Sequence, residues 1–189
     1  MRSSYGDSAR FLDLRTQSDS LKQLAELAQR ASITPLVRST AKKIIRNCGS
    51  RDDLCELQAI FDAVKDGDPD VKPFANGFKY IADPRFADYF ASPLDSINEC
   101  LNGACGGDCD DHTSLIAALG ASLGWKMGAR AYGPKGVDGF SHVYAVAAYP
   151  KRPNEAGEWK RVVGMDTTVP RAQLGWEPPR GNVLTAWMD

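Results

Sequence analysis

The stretch from Cys105 to Leu115 reads CGGDCDDHTSL. It places a thiol, Cys109, just after two glycines, among Asp108, Asp110, Asp111 and His112, where an apolar helical pattern begins. Three readings suit these residue types: a metal site, a structural cysteine, or a nucleophile at a helix start. Amides at a helix N-terminus favour an anion and lower a thiol pKa. The glycines permit close approach of a substrate backbone. The acids act in the opposite sense if they face the sulfur. Helix positions lie about 100° apart, so the five side chains are not expected to converge on one ion, and two of the three aspartates are expected to point elsewhere. Aspartates also suit a helix start on structural grounds alone. The stretch lacks the alternate-position spacing of a calcium loop, so no metal ligands and no cofactor are assigned.

A cysteine nucleophile wants a base, and the base wants an orienting group. The chain has two histidines. His142 lies in FSHVYAV and Asp166 in VVGMDTTV, both strand-like runs. Adjacent antiparallel strands joined by a turn at 150–158 would set these two side by side. His112 is the rival base, one turn beyond Cys109. It shares a face with Leu115, Ile116 and Leu119, so a histidine satisfied at the core edge is the favoured reading.

The elements that must position these groups follow from periodicity. Leu21, Leu24, Leu27 and Ala28 recur at helical spacing after a polar arm at 1–17. A second helix opens at Thr34-Pro35 and runs to Gly49. A third follows a capping box of Ser50 and Asp53 and ends at Gly67. Residues 77–84 read as extended, Ser92, Pro93 and Asp95 as a helix start, and Cys109 to Gly124 as a helix. Three alternating runs, WKMGARAYG, SHVYAVAAY and EWKRVVGMDTTV, then read as strands. The final EPPRGNVLTAWMD reads as irregular, and YGPKGVDGF (132–140) as a loop beside the cleft. The layout is α+β.

Gly-x-Cys at a helix start, Ser-His-Val-Tyr on a strand and Met-Asp-Thr-Thr on the next resemble the transglutaminase-like superfamily of cysteine enzymes, in its bacterial and phage forms. The resemblance covers roughly residues 54–170 and leaves residues 1–50 without an assigned role. It implies a papain-like core, with the nucleophile helix packed on an antiparallel sheet. The division it suggests is an N-terminal arm and helical extension at 1–50 and a catalytic domain at 51–189. It also implies roles: Cys109 attacks an amide carbonyl, His142 is base and then acid, and Asp166 holds the imidazole. An acyl-thioester is then resolved by water or an amine. The Cys109 amide is an oxyanion donor, and Tyr80 is the upstream aromatic that could assist.

Composition narrows the function. Apolar residues at 43% and charged residues at 25% exclude a disordered chain. With 23 basic and 24 acidic residues, no basic excess points to nucleic acid or anionic lipid. No apolar run approaches the ~18 residues of a membrane span, and no signal-peptide core is evident. The expectation is a cytoplasmic protein, virion-associated if phage-encoded. The five cysteines are then reduced, with Cys48 and Cys55 as small buried hydrophobes. The substrate implied is a peptide or protein, such as a cell-wall peptide. The first function is hydrolysis of peptide or isopeptide amides. Its alternatives are a non-catalytic binding or structural module of a larger assembly, a protein-crosslinking transglutaminase, and a metal-dependent enzyme using Asp110, Asp111 and His112.

Overall fold

The computed structural model describes residues 9–10, 17–82, 89–136 and 139–189. Most of the polar arm at 1–17 lies outside them. Within that arm, β1 (Ala9–Arg10) pairs antiparallel with β3 (Tyr89–Phe90). Helix α1 (Gln17–Ser32) carries the leucine stripe, and Leu21, Leu24 and Leu27 are all buried.

Helix α2 (Pro35–Ile44) starts at the expected proline, which fits a first-turn position that needs no N–H donor. It ends before Gly49, and the Thr34 hydroxyl donates to the Ala31 carbonyl instead of capping α2. Helix α3 (Asp53–Lys65) is capped by Asp52, which accepts from the Cys55 N–H. The expected Ser50–Asp53 box is therefore two residues out of register. Ser92 accepts from the Asp95 N–H and caps α4 (Pro93–Leu101), as its residue types require.

Helix α5 (Cys109–Ser122) is the centre of the molecule. Its residues from Asp110 to Gly120 are all buried. A helix covered on every side must meet neighbours all round, and α1, α2, α3 and α4 all pack on it. Gly124, at φ +88, lets the chain leave the helix in the left-handed region. Strands β5 (Met127–Pro134), β6 (His142–Tyr149), β7 (Arg161–Met165) and β8 (Gly181–Trp187) form one antiparallel sheet in the order β7-β6-β5-β8. Helix α5 lies over β6 and β5, and α1 lies beside it over β5 and β8.

The C-terminal stretch is a strand, not irregular chain. Pro178 and Pro179 mask its start, but Asn182 to Trp187 complete the ladder along β5. Two residues each form β2 (Lys79–Tyr80) and β4 (Gly106–Gly107), which pair in parallel.

Two apolar clusters hold these layers. The larger gathers Leu57, Ile60, Val64, Leu115, Leu119, Met127 and Met165, together with Ala25, Ala28, Val37 and Ala41 of the first two helices. Residues 17–50 thus share a core with the rest of the chain. The smaller sets Leu21, Leu24 and Leu27 of α1 against Phe90, Ala129 and Ala131.

Four of the five cysteines are paired, Cys48 with Cys55 and Cys100 with Cys105. The expectation of five reduced thiols is corrected. Cys48 and Cys55 form a bridge between the end of the α2 turn and the start of α3, and Cys109 is the free cysteine. Among the described residues, no helix is long and apolar enough to cross a membrane.

Candidate active site

The junction at Cys109 is fixed by reciprocal capping. Asp108 is the N-cap, in extended backbone, and its carboxylate accepts from the Asp110 N–H at 3.2 Å. Asp111 reaches back toward the Asp108 N–H, and its other oxygen accepts from Ala91 N–H at 2.8 Å. The glycines serve this packing. A Cβ on Gly107 would lie 2.2 Å from the Asp111 carboxylate, and one on Gly106 would lie 2.4 Å from the Lys79 carbonyl. The close approach expected for a substrate backbone is here used by β2 and by Asp111.

Strand β6 brings His142 to the same place. Cys109, His142, Asp108 and Asp110 all line one cavity of about 290 Å³. The Val143 amide, next in sequence to His142, acts on the sulfur as a hydrogen-bond donor, as does the Cys109 amide. His142 and Asp166 are brought together as the strand arrangement predicts: Nε2 lies 2.7 Å from an Asp166 carboxylate oxygen. That carboxylate is fully buried. Its second oxygen accepts from the Thr168 N–H at 3.0 Å and the Thr168 hydroxyl at 2.7 Å. Burial opposes the Asp166 charge, but the bonds from His142 and Thr168 outweigh it and hold the carboxyl below its usual range. With Nε2 engaged by Asp166, Nδ1 is the ring nitrogen left for other chemistry.

Two further groups orient this pair, and residue spacing gave no sign of either. The Tyr144 ring stacks on His142, with centroids 6.0 Å apart and planes at 21°. Its hydroxyl donates to Glu177 at 2.5 Å, and Glu177 pairs with Arg130. Burial and the neighbouring carboxylate push the Tyr144 phenol up, so it stays a donor.

His112, the rival base, is bonded outside this pair. Its Nδ1 lies 2.8 Å from the Thr167 hydroxyl, and its ring meets Phe78 edge-on. It is 2% exposed, and Nε2 makes no well-formed hydrogen bond. The Lys79 carbonyl acts on the ring's charge without closing such a bond. Burial lowers the His112 pKa to about 4, so the ring is neutral near pH 7. Tyr80 is 57% exposed, beside His112, and is not among the residues lining the Cys109 cavity.

The acids depart from expectation. Donor atoms of Asp108, Cys109 and Asp110 lie within 4.8 Å of one another, so two carboxyls do face the sulfur. Asp108 sits outside the helix proper, where the 100° rule does not apply. Burial pushes the Cys109 thiol up to about 12, with Asp108 and then Asp110 adding to it. Burial, then the hydrogen bond to Asp108, raises Asp110 far above the carboxylate range. Asp110 therefore keeps its proton near pH 7, and the thiol rests neutral. These three donors are the group that could hold a metal ion among the described residues. The set Asp110, Asp111 and His112 is not assembled, because Asp111 and His112 are turned to Ala91 and Thr167.

Compared with known protein families, with curated proteins and with solved structures, the chain matches none.

Proposed function

We propose that the protein is a cysteine-dependent acyl-transfer enzyme of the transglutaminase-like kind, cleaving peptide or isopeptide amides through an acyl-thioester. The observation that carries this reading is the His142–Asp166 bond at 2.7 Å, set in the wall of the cavity that holds the one free cysteine. Cys109 at a helix start, His142 at the start of β6 and Asp166 just past the end of β7 are the residue types that nucleophilic catalysis uses as nucleophile, base and orienting acid.

The thiol is neutral at rest, so attack and deprotonation are coupled. The Cys109 S–H proton passes to Nδ1 of His142 as sulfur bonds to the carbonyl carbon. Asp166, ionised on Nε2, stabilises the imidazolium. The Cys109 N–H, at the positive end of α5, faces the developing oxyanion. His142 returns its proton to the leaving amine as the C–N bond breaks. Water, deprotonated by His142, then cleaves the thioester. Tyr80 is given no part in these steps. The paired cysteines suit an oxidising compartment or an exposed location better than a reducing cytoplasm.

The test is acylation by p-nitrophenyl acetate with mass mapping of the adduct, in wild type and in Cys109→Ala, His142→Ala and Asp166→Asn. A burst of nitrophenol, an acetyl group on Cys109 and its loss in His142→Ala are expected, unaffected by a chelator. Labelling that ignores His142 would leave the fold serving as a binding or structural module. Loss of activity to the chelator would move the reading to a metal at Asp108, Cys109 and Asp110. Added glycinamide separates hydrolysis from crosslinking, since only an amine-accepting enzyme forms the acyl-glycinamide in preference to the acid.

A further inference from the structure

The cavity at Cys109 is lined largely by apolar side chains, most of them from elements that carry none of the proposed catalytic groups. Leu21 and Leu24 of α1 form one wall, and Phe90, Ala131, Phe140 and Val143 form the rest. Leu21 and Leu24 are 4% and 2% exposed and belong to the smaller apolar cluster, so this wall is a fixed surface. Ser20, on the same wall, has a buried hydroxyl with no hydrogen-bond partner among the described residues. At about 290 Å³ the space is at the small end of ligand cavities, the size for one side chain and its flanking backbone. One end of it is the sulfur and the imidazole. A group seated there belongs to the residue whose carbonyl is attacked, or to its immediate neighbour. Asp108, beside the sulfur, disfavours a second carboxylate there.

We infer that this cavity binds an apolar side chain of the acyl donor, and that Leu21 and Leu24 of the N-terminal helix determine that specificity. The inference rests on the proposed cysteine chemistry and adds the substrate class to it. Acidic acyl groups are excluded, and branched aliphatic or aromatic ones are preferred.

The probes are p-nitrophenyl esters of acetic, isovaleric, 3-phenylpropanoic and succinic acids. In each, the ester C–O bond breaks, the Cys109 C–S bond forms, and the thiol proton leaves with nitrophenol. Each acylation rate is divided by that ester's rate with a small free thiol. Isovaleryl and phenylpropanoyl transfer are expected to exceed acetyl transfer by about tenfold or more, the discrimination typical of a few methylenes in an apolar pocket. Succinyl transfer is expected to be slowest. Leu24→Phe and Ala131→Leu narrow the cavity from opposite walls, and each is expected to shrink the isovaleryl-to-acetyl ratio. Either variant can be lost to misfolding without harm, because the wild-type series already decides. Equal corrected rates for all four esters, or a succinyl preference, would overturn this inference and leave the cysteine chemistry standing. If no ester acylates Cys109, both fall together.

Discussion

His112 on α5 holds the hydroxyl of Thr167, the residue that follows Asp166, at 2.8 Å. The helix that carries Cys109 is thereby tied to the segment that carries Asp166. The second histidine of the chain thus acts through position, by fixing Asp166 relative to Cys109.

Thr167→Val should break that tie and leave His112 with both ring nitrogens buried and unsatisfied. A loss of about 1–3 kcal/mol is expected from the stranded ring nitrogen. Acylation of Cys109 should slow as well, and Thr167→Ser should restore both. Chemical denaturation read beside ester kinetics checks the point. A Thr167→Val protein that is less stable but fully reactive would show that the tie is structural only.

Asp110 makes stability depend on pH. Unfolded, its carboxyl ionises near 3.9; folded, it keeps its proton far higher. The stabilisation from this group is full below about pH 4 and is lost as pH rises toward the raised folded value. Asp110→Asn should therefore raise the melting temperature more at pH 8 than at pH 4.5. A variant with the same pH dependence as wild type would contradict the proton retained on Asp110.

The thiol should be slow toward reagents that need a thiolate. With Cys109 pushed up to about 12, alkylation by iodoacetamide at pH 8 should lag well behind that of a free cysteine. Asp108→Asn removes the larger of the two charge contributions and should speed alkylation roughly 3- to 10-fold, one pKa unit being tenfold in thiolate fraction. A slope of rate against pH that breaks below pH 7 in wild type would show a preformed thiolate–imidazolium pair.

Thiol counting tests the cysteine pairing. One free thiol is expected in the native chain and five after reduction under denaturing conditions. Reduction alone should cost about 2–3 kcal/mol per bridge, the amount for short closed loops. Five reactive thiols without reductant would restore the reduced state.

Much of the site is legible in the residues. Cys109 at a glycine-flanked helix start, and His142 and Asp166 on alternating strands, follow from periodicity and from the scarcity of histidine. The convergence of Asp108 and Asp110 on the sulfur is not legible, because it depends on the extended backbone of the N-cap, off the helical wheel. The cavity wall is hidden for a different reason. Leu21 and Leu24 read as an ordinary buried stripe, and only the tertiary placement of α1 beside α5 turns that stripe toward Cys109. The disulfides are not legible, since nothing in the spacing of Cys48, Cys55, Cys100 and Cys105 distinguishes a thiol from a bridge. Strand β8 is hidden by the two prolines that precede it, although its ladder lies wholly beyond them.

Helix α1 has two working faces. Ala25, Ala28 and Ala31 are built into the main core, while Leu21 and Leu24 look into the cavity. The same sixteen residues therefore secure the fold and shape the space beside the thiol. A change that widens or narrows that space also perturbs the packing of α1, so the shape of the space beside Cys109 cannot drift freely. It can change only along paths that the stability of the whole domain tolerates.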